Sequence, residues 1–402
     1  MKLLIISDMA HHLLDGRVFG WGPAVREIDH LAEVFHEVRH LAVRRQGPPP
    51  PAALPYSSPK IHFVPLTPAT GGGFGVKLNV LRRSPEYVKA CLRELRWADA
   101  VHVRCPASVS LQALLLLRFR KRPMLRWAKY AGNWRPQRAA RRGDGREPFF
   151  YRLQRQWLAR GIHKGLVTCN GEWPNQPAHV FSLHNPCLTE AELTHARTAT
   201  RHKQPGDPLR LLFAGQLRPS KGPDRALRIL AGLRDRGWNA RLDLAGDGPR
   251  ARQLHELAGC LGLSRHVTFH GWVSVSALHE LYRDAHFFLL PSSTEGWPKV
   301  VGEAMAFRAV PLAGAVSCIA QVLDATGAGV ALPPDGVGAF AASIDSLARN
   351  PAAWLRMAAN GQKAAIDFTY EAYVERVRRL LRIEPACQTG AQVQAVRGTA
   401  AG

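Results

Sequence analysis

Two glutamates, Glu295 and Glu303, are separated by seven residues in the segment Ser293-Thr294-Glu295-Gly296-Trp297-Pro298-Lys299-Val300-Val301-Gly302-Glu303. The apolar run Ala285–Pro291 before them reads as a buried strand, and Pro298 suits the first position of a helix running through Glu303. A helix that opens directly after a strand aims free N–H groups and a positive dipole end at whatever lies above the sheet, which makes a site for phosphate. Carboxylates repel an anion. Beside such a site they are better suited to accept hydrogen bonds from neutral hydroxyls, as on a sugar. The competing reading is an ordinary charge at a helix start plus one solvated glutamate.

Three further loops fall where open α/β sheets bind ligands, after strands. In Phe213–Pro223 a strand runs into Gly215-Gln216-Leu217-Arg218-Pro219-Ser220-Lys221, and a helix starts at Pro223. Arg218 and Lys221 are placed to neutralise a diphosphate that the helix start caps. The residue order is not that of a Walker loop, so ATPase chemistry is unsupported. Gly246-Asp247-Gly248-Pro249-Arg250-Ala251 matches the loose Gly-x-Gly-x-x-Ala fingerprint, but Val267–His270 follows without a ribose-binding acid. It reads as a tight turn beside a ligand. Trp272, after His270-Gly271, is either a core residue or part of a corner where backbone meets a planar base.

A fourth loop, Asp15–Pro23, carries Gly20 and Gly22, which permit close backbone approach to a ligand; a flexible loop is the alternative. Two chemistries are excluded. Neither His255-Glu256 nor His279-Glu280 has a second histidine at helical spacing, and no Gly-x-Ser-x-Gly elbow occurs.

The elements that would position these loops alternate along the chain. Strands are predicted at Leu3–Ser7, Val38–Val43, Ile61–Leu66, Ala100–Arg104, Met124–Tyr130, Gly165–Cys169 and His179–Leu183. Helices are predicted near Ala24–Phe35, Pro85–Trp97, Ser108–Phe119 and Phe149–Ile162. After a polar stretch ending at Pro208 the pattern restarts, with strands at Leu209–Ala214, Arg241–Ala245, His266–Phe269, Phe287–Leu290, Ala309–Leu312 and Gly329–Leu332. The expectation is an α/β protein of two doubly wound, Rossmann-like domains facing across a cleft. Their bounds are 1–190, a linker at 191–208, 209–370, a basic amphipathic helix at 371–383 returning to the first domain, and a disordered tail at 384–402.

The 402 residues are enough for two cores without staples, and the seven cysteines form no Cys-x-x-Cys pair, so they read as reduced residues of a cytoplasmic protein. Neither the first residues, which reach Asp8, nor Leu111–Leu117, which ends at Arg118, is long enough for a signal core or a membrane span. The net charge is +23, with much of the excess between Arg118 and Arg160, including Arg138, Arg141, Arg142 and Arg146. An anionic membrane surface is favoured as its partner over nucleic acid, the alternative being a solvated face enriched in arginine. No metal-ligand cluster is visible.

Taken together, Gly215 with Lys221-Gly222, Gly246–Pro249, Phe269 with Gly271, Glu295-Gly296, Glu303-Ala304-Met305-Ala306 and Pro311 resemble the group 1 (family 4) retaining glycosyltransferases of the GT-B fold. The resemblance covers Leu209 to about Leu381 and is architectural only in the first half. It implies that Glu303 holds the ribose of a nucleotide sugar. Glu295 and the backbone of Gly296, Trp297, Pro298, Lys299 and Val300 would hold the donor sugar, and Lys221 the diphosphate. It further implies transfer with retention from a UDP- or GDP-sugar to a lipid-linked or glycan acceptor, in surface polysaccharide or lipopolysaccharide synthesis. No metal or cofactor beyond the donor is expected, and the enzyme would lie on the inner face of the membrane. Three positions depart from the pattern. Gln216 replaces an arginine, with Arg218 as substitute. Arg308 replaces a glycine, and Asn133 stands where a histidine is usual. The rival readings are a GT-B epimerase or glycogen-type synthase, and an inactive nucleotide-sugar or nucleic-acid binding protein.

Overall fold

The computed structural model describes residues 1–69, 74–135 and 149–384. Arg138, Arg141, Arg142 and Arg146 of the basic stretch, and residues 385–402 of the expected tail, lie outside the described residues.

The first domain runs β1 (Lys2–Leu14), β2 (Arg17–Trp21), α1 (Gly22–Leu31), β3 (Glu37–Arg44), β4 (Ala53–Pro55), β5 (Ile61–Leu66), α2 (Phe74–Trp97), β6 (Ala100–Cys105), α3 (Ser108–Phe119), β7 (Leu125–Tyr130), α4 (Phe149–Ala159), β8 (Leu166–Cys169) and β9 (Val180–Ser182). Its parallel strands lie in the order β5-β3-β1-β6-β7-β8-β9. Leu3, Leu4, Ile5 and Ile6 are all buried, as a central strand covered by helices on both faces requires.

The loop expected at Asp15–Pro23 is instead a hairpin. β1 continues to Leu14, turns at Asp15 and Gly16, and pairs antiparallel with β2, which pairs in turn with β4. Both turn residues have positive φ, 49° and 72°, which is what a two-residue hairpin turn demands. α2 begins at Phe74 and runs through Pro85, upstream of the predicted start.

The second domain contains α5 (Glu190–Ala199), β10 (Leu209–Ala214), α6 (Pro223–Arg234), β11 (Ala240–Ala245), α7 (Ala251–Cys260), β12 (Val267–Gly271), α8 (Val275–Asp284), β13 (Phe287–Leu290), α9 (Lys299–Ala306), β14 (Val310–Gly314), α10 (Ile319–Thr326), β15 (Val330–Leu332), α11 (Val337–Ala348), α12 (Pro351–Ala364) and α13 (Tyr370–Leu381). The strands form one parallel sheet in the order β12-β11-β10-β13-β14-β15.

Much of the stretch read as a linker is a helix. Thr189 and Glu192 form a reciprocal capping box at the start of α5, and Leu193 and Ala196 join the second domain's core. Arg308, the residue in place of a glycine, has φ 54° and so keeps the left-handed turn after α9. Its guanidinium donates to the carbonyls of Thr200 and Arg201 just after α5, contacts a glycine would lack.

α13 packs away from the sheet it follows. Tyr373, Val377 and Leu381 share a core with Leu3, Ile5, Ile28, Leu31 and Trp127 of the first domain. Five of the cysteines described, Cys91, Cys105, Cys169, Cys187 and Cys318, are buried thiols; Cys260 is exposed. Cys387 lies outside the described residues.

Candidate active site

The loops after β10 and β13 are stitched side by side. Ser293 donates its backbone N–H to the Ser220 carbonyl at 2.9 Å, and the Ser292 hydroxyl donates to the Lys221 carbonyl at 3.3 Å. This brings Lys221 and Glu295 together: the Lys221 ammonium donates to both oxygens of the Glu295 carboxylate, at 2.7 and 2.8 Å. Lys221 ends a short 3-10 turn, and Gly222, at φ 73°, carries the chain from it into α6. A Cβ at Gly222 would stand 2.3 Å from the Pro291 carbonyl, so only glycine lets the two loops meet this closely.

Glu303 lies in the second turn of α9, half-buried, and accepts a hydrogen bond from the Tyr282 hydroxyl at 3.1 Å. Burial pushes its carboxyl up to about 7, against the pull of the Tyr282 hydroxyl, Lys299 and Arg26. A carboxylate so placed gains from hydroxyl donors, because they favour its charged form.

The other residues of this segment separate by role. Trp297 is only 3% exposed, and its ring stacks on Phe368 at 4.6 Å between centroids. Its side chain holds the corner in the core, while the contact expected from the sequence is one of its backbone. Pro298 is buried and caps α9, so the first helical residue is Lys299 and not Pro298. The Val300 carbonyl also faces Tyr282, whose hydroxyl lies 3.2 Å away. Gly296 touches the first domain: a Cβ there would stand 2.3 Å from the Ala131 carbonyl and 3.1 Å from Asn170 Nδ2. Ala131 follows β7 and Asn170 follows β8, so the C-terminal ends of the two sheets meet at this corner. Asn133 lies in the same β7 loop, half-buried, where its Oδ1 accepts from the Arg135 N–H at 3.0 Å.

Gln216 and Arg218 are exposed beside Lys221. The glycines around them serve loop-to-loop contact. A Cβ on Gly246 would lie 1.9 Å from the Gly215 carbonyl oxygen, and one on Gly248 would lie 2.8 Å from Leu217 N and O. The turn expected at Gly246–Ala251 is thus packed against the loop that carries Leu217. Trp272 is 48% exposed, so it is not the core residue that was one of its two readings. Its neighbour His270 is fixed by Asp243 at 2.7 Å.

Gly20 and Gly22 are covered by the protein itself. Beyond Gly20 lie His11 and Met9, and a Cβ on Gly22 would stand 2.8 Å from the Ala52 carbonyl, next to β4. The Gly22 N–H donates to that same carbonyl at 2.9 Å. These glycines let the β2–β4 pairing approach α1, so the ligand-approach reading is corrected to packing.

Sequence reasoning passed over Glu27. It is 1% exposed, and its Oε1 accepts from Arg104 at 2.7 Å, Lys129 at 2.6 Å and the Tyr373 hydroxyl at 3.2 Å. Burial alone would raise its carboxyl, but Arg104, Lys129 and Lys299 reverse this and hold it well below the usual carboxylate range. A signal was available, because Glu27 shares the buried stripe Ala24, Val25, Ile28, Leu31 of α1, where an acid requires a partner.

Residues 196–364 match the family described as glycosyl transferases group 1. Alpha-D-kanosaminyltransferase of Streptomyces kanamyceticus is 28% identical over 169 residues, covering 42% of this chain and 44% of that protein. The chain thus spans less than half the length of this curated relative. Among solved structures, sucrose-phosphate synthase from Thermosynechococcus elongatus is similar at TM-score 0.70 and 20% identity, covering 95% of this chain and 98% of that one. Anabaena HepE in complex with UDP and glucose is similar at TM-score 0.63 and 15% identity, covering 95% and 99%. Over residues 196–364 this chain is thus similar to the group 1 glycosyl transferases, and its two Rossmann-like domains have the GT-B fold.

Proposed function

We propose that the protein is a retaining glycosyltransferase that moves a sugar from a UDP- or GDP-sugar to a lipid-linked or glycan acceptor. The observation that carries this reading is the Lys221–Glu295 pair at the meeting point of the two sheets, with Glu303 farther along the same segment. Lys221 and the start of α6 are suited to stabilise negative charge on the departing diphosphate. As the diphosphate draws the ammonium, Glu295 is freed to accept hydroxyls of the donor sugar, and Glu303 accepts those of the ribose. On retention, the leaving oxygen takes the acceptor's proton on the face where the new bond forms, so positioning and charge stabilisation are the protein's main tasks.

HepE holding UDP supports a nucleotide-sugar donor. Among the described residues no group of three or more His, Cys, Asp or Glu is placed to hold a metal. No described helix is long and apolar enough to cross a membrane. Attachment to the inner membrane face would use the first domain, where Phe119 and Met124, each 80% exposed, flank Arg120, Lys121 and Arg122. A surface-polysaccharide role is the narrower part of the proposal and rests on the family resemblance and this basic surface.

The test is a screen of UDP- and GDP-sugars for binding and slow hydrolysis, with Glu303→Ala as control. The expected result is turnover of one donor, with binding clearly weakened in the variant. No turnover with any donor, together with salt-sensitive RNA binding, overturns the proposal. Failure of vesicles containing anionic lipid to retain the protein at low salt removes the membrane part.

A further inference from the structure

Lys299, the first residue of α9, reaches out of its own domain. Its ammonium donates to the Pro23 carbonyl at the start of α1 at 2.6 Å and lies 3.9 Å from Glu27 Oε2. It also stands 5.6 Å from the ring centre of Tyr370, the first residue of α13. One ammonium thus joins the starts of three helices, from positions 276 residues apart in the case of Pro23. The Lys299 side chain is 15% exposed and Glu27 1%, so the pair lies largely out of water.

Burying such a pair seldom adds stability over apolar residues of the same volume, but it does select one arrangement, because a displaced partner leaves a charge stranded. Here the selected arrangement is the seat of the corner Glu295–Pro298 against the β7 and β8 ends. From these contacts we infer that Lys299 and Glu27 are a positioning pair, holding the donor-side corner in register with the first domain. What is positioned rests on the glycosyltransferase reading; the interdomain pairing does not. Glu27 suits this role because Arg104 and Lys129 occupy Oε1 and leave Oε2 toward Lys299. The two side chains meet each other and the helix starts, yet a shift of about 1 Å in the corner is enough to cost on the order of a hundredfold in rate.

The test compares Lys299→Met, Lys299→Arg and Glu27→Gln with the parent full-length protein. Peptide-level hydrogen exchange would be followed over 22–31 and 295–306, beside UDP titration and donor hydrolysis. The Met and Gln variants are expected to exchange at least tenfold faster in both segments and to leave the β10–β13 sheet unchanged. Their kcat should fall at least tenfold, with a smaller change in KM, and Lys299→Arg should recover most of it. Parent-like exchange in all variants overturns the inference. So does acceleration spread over the whole molecule with no recovery by arginine, which would mark the pair as general structural support. If the parent turns over no UDP- or GDP-sugar, the functional proposal falls while the exchange pattern still decides the pair.

Discussion

The two domains use glycine and charge at their sheet ends in opposite ways. In the second domain, Gly215, Gly222 and Gly246 let neighbouring loops nest so closely that Lys221 and Glu295 come from different loops to one point. In the first domain, Gly20 and Gly22 let the β2–β4 pairing close over the end of β1. There the charged residues turn inward, with Glu27, Arg104 and Lys129 meeting in the core. Similar sequence signals, glycines between a strand and a helix, thus support an open set of polar groups in one half and a packed interior in the other. A glycine near a strand end indicates close approach, and only the structure says whether the neighbour is a ligand or the protein's own chain.

The contrast can be tested from its largest expected consequence downward. Lys221→Ala should lower kcat for donor turnover by about 100- to 1,000-fold, as for loss of one group that stabilises developing charge. A near-parental kcat would show that the second domain's loop cations are surface residues after all. Glu303→Ala should weaken UDP or GDP binding by roughly 10- to 100-fold, measured by calorimetry, since hydrogen bonds to a charged group contribute about 1.5–3 kcal/mol. Unchanged affinity would remove the ribose assignment.

The same carboxyl predicts a pH dependence. Its folded value, about 7, is above its ordinary 4.5, so its contribution to stability is full below about pH 4.5 and is lost as pH rises through 7. If binding requires the carboxylate, affinity runs the other way and rises about tenfold between about pH 6 and pH 8 by proton linkage. Glu303→Gln should flatten that profile; a slope that survives belongs to another group.

The smallest effect concerns the first domain. Gly22→Ala should lower stability by about 1–2 kcal/mol through crowding of the Ala52 carbonyl, with nucleotide affinity of the folded protein retained. Parental stability with impaired nucleotide binding would return Gly22 to the ligand site and collapse the contrast between the domains.

Much of the second domain was legible in the sequence because its chemistry is local. Each βα loop follows its own apolar run, and β10 and β13 fall on the predicted spans. Pro223 opens α6 as predicted, yet Pro298 caps α9 from outside, a one-residue difference that dihedral angles decide and composition does not. α5 was hidden because its exposed face is polar and its buried side is narrow, with Leu193 and Ala196 as its buried residues. The Glu27 cluster was illegible for another reason. Its members lie 77 and 102 residues apart, and an acid on an apolar stripe announces that a partner exists without naming it. The hairpin was missed because after Ile6 the residues of β1 fall in polar and apolar pairs, Ser7-Asp8, Met9-Ala10, His11-His12 and Leu13-Leu14, which carry no strand-like alternation.

The packing of α13 against Leu3 and Ile5 has a consequence for synthesis of the chain. The strand bearing Leu3 and Ile5 leaves the ribosome long before the helix that completes its core. Until then the cluster of Leu3, Ile28 and Leu31 lacks Tyr373, Val377 and Leu381, and the first of the two domains is completed after the second. A nascent chain halted before Tyr370 would carry a complete second sheet and an unfinished first domain, the reverse of the order in which the domains are translated.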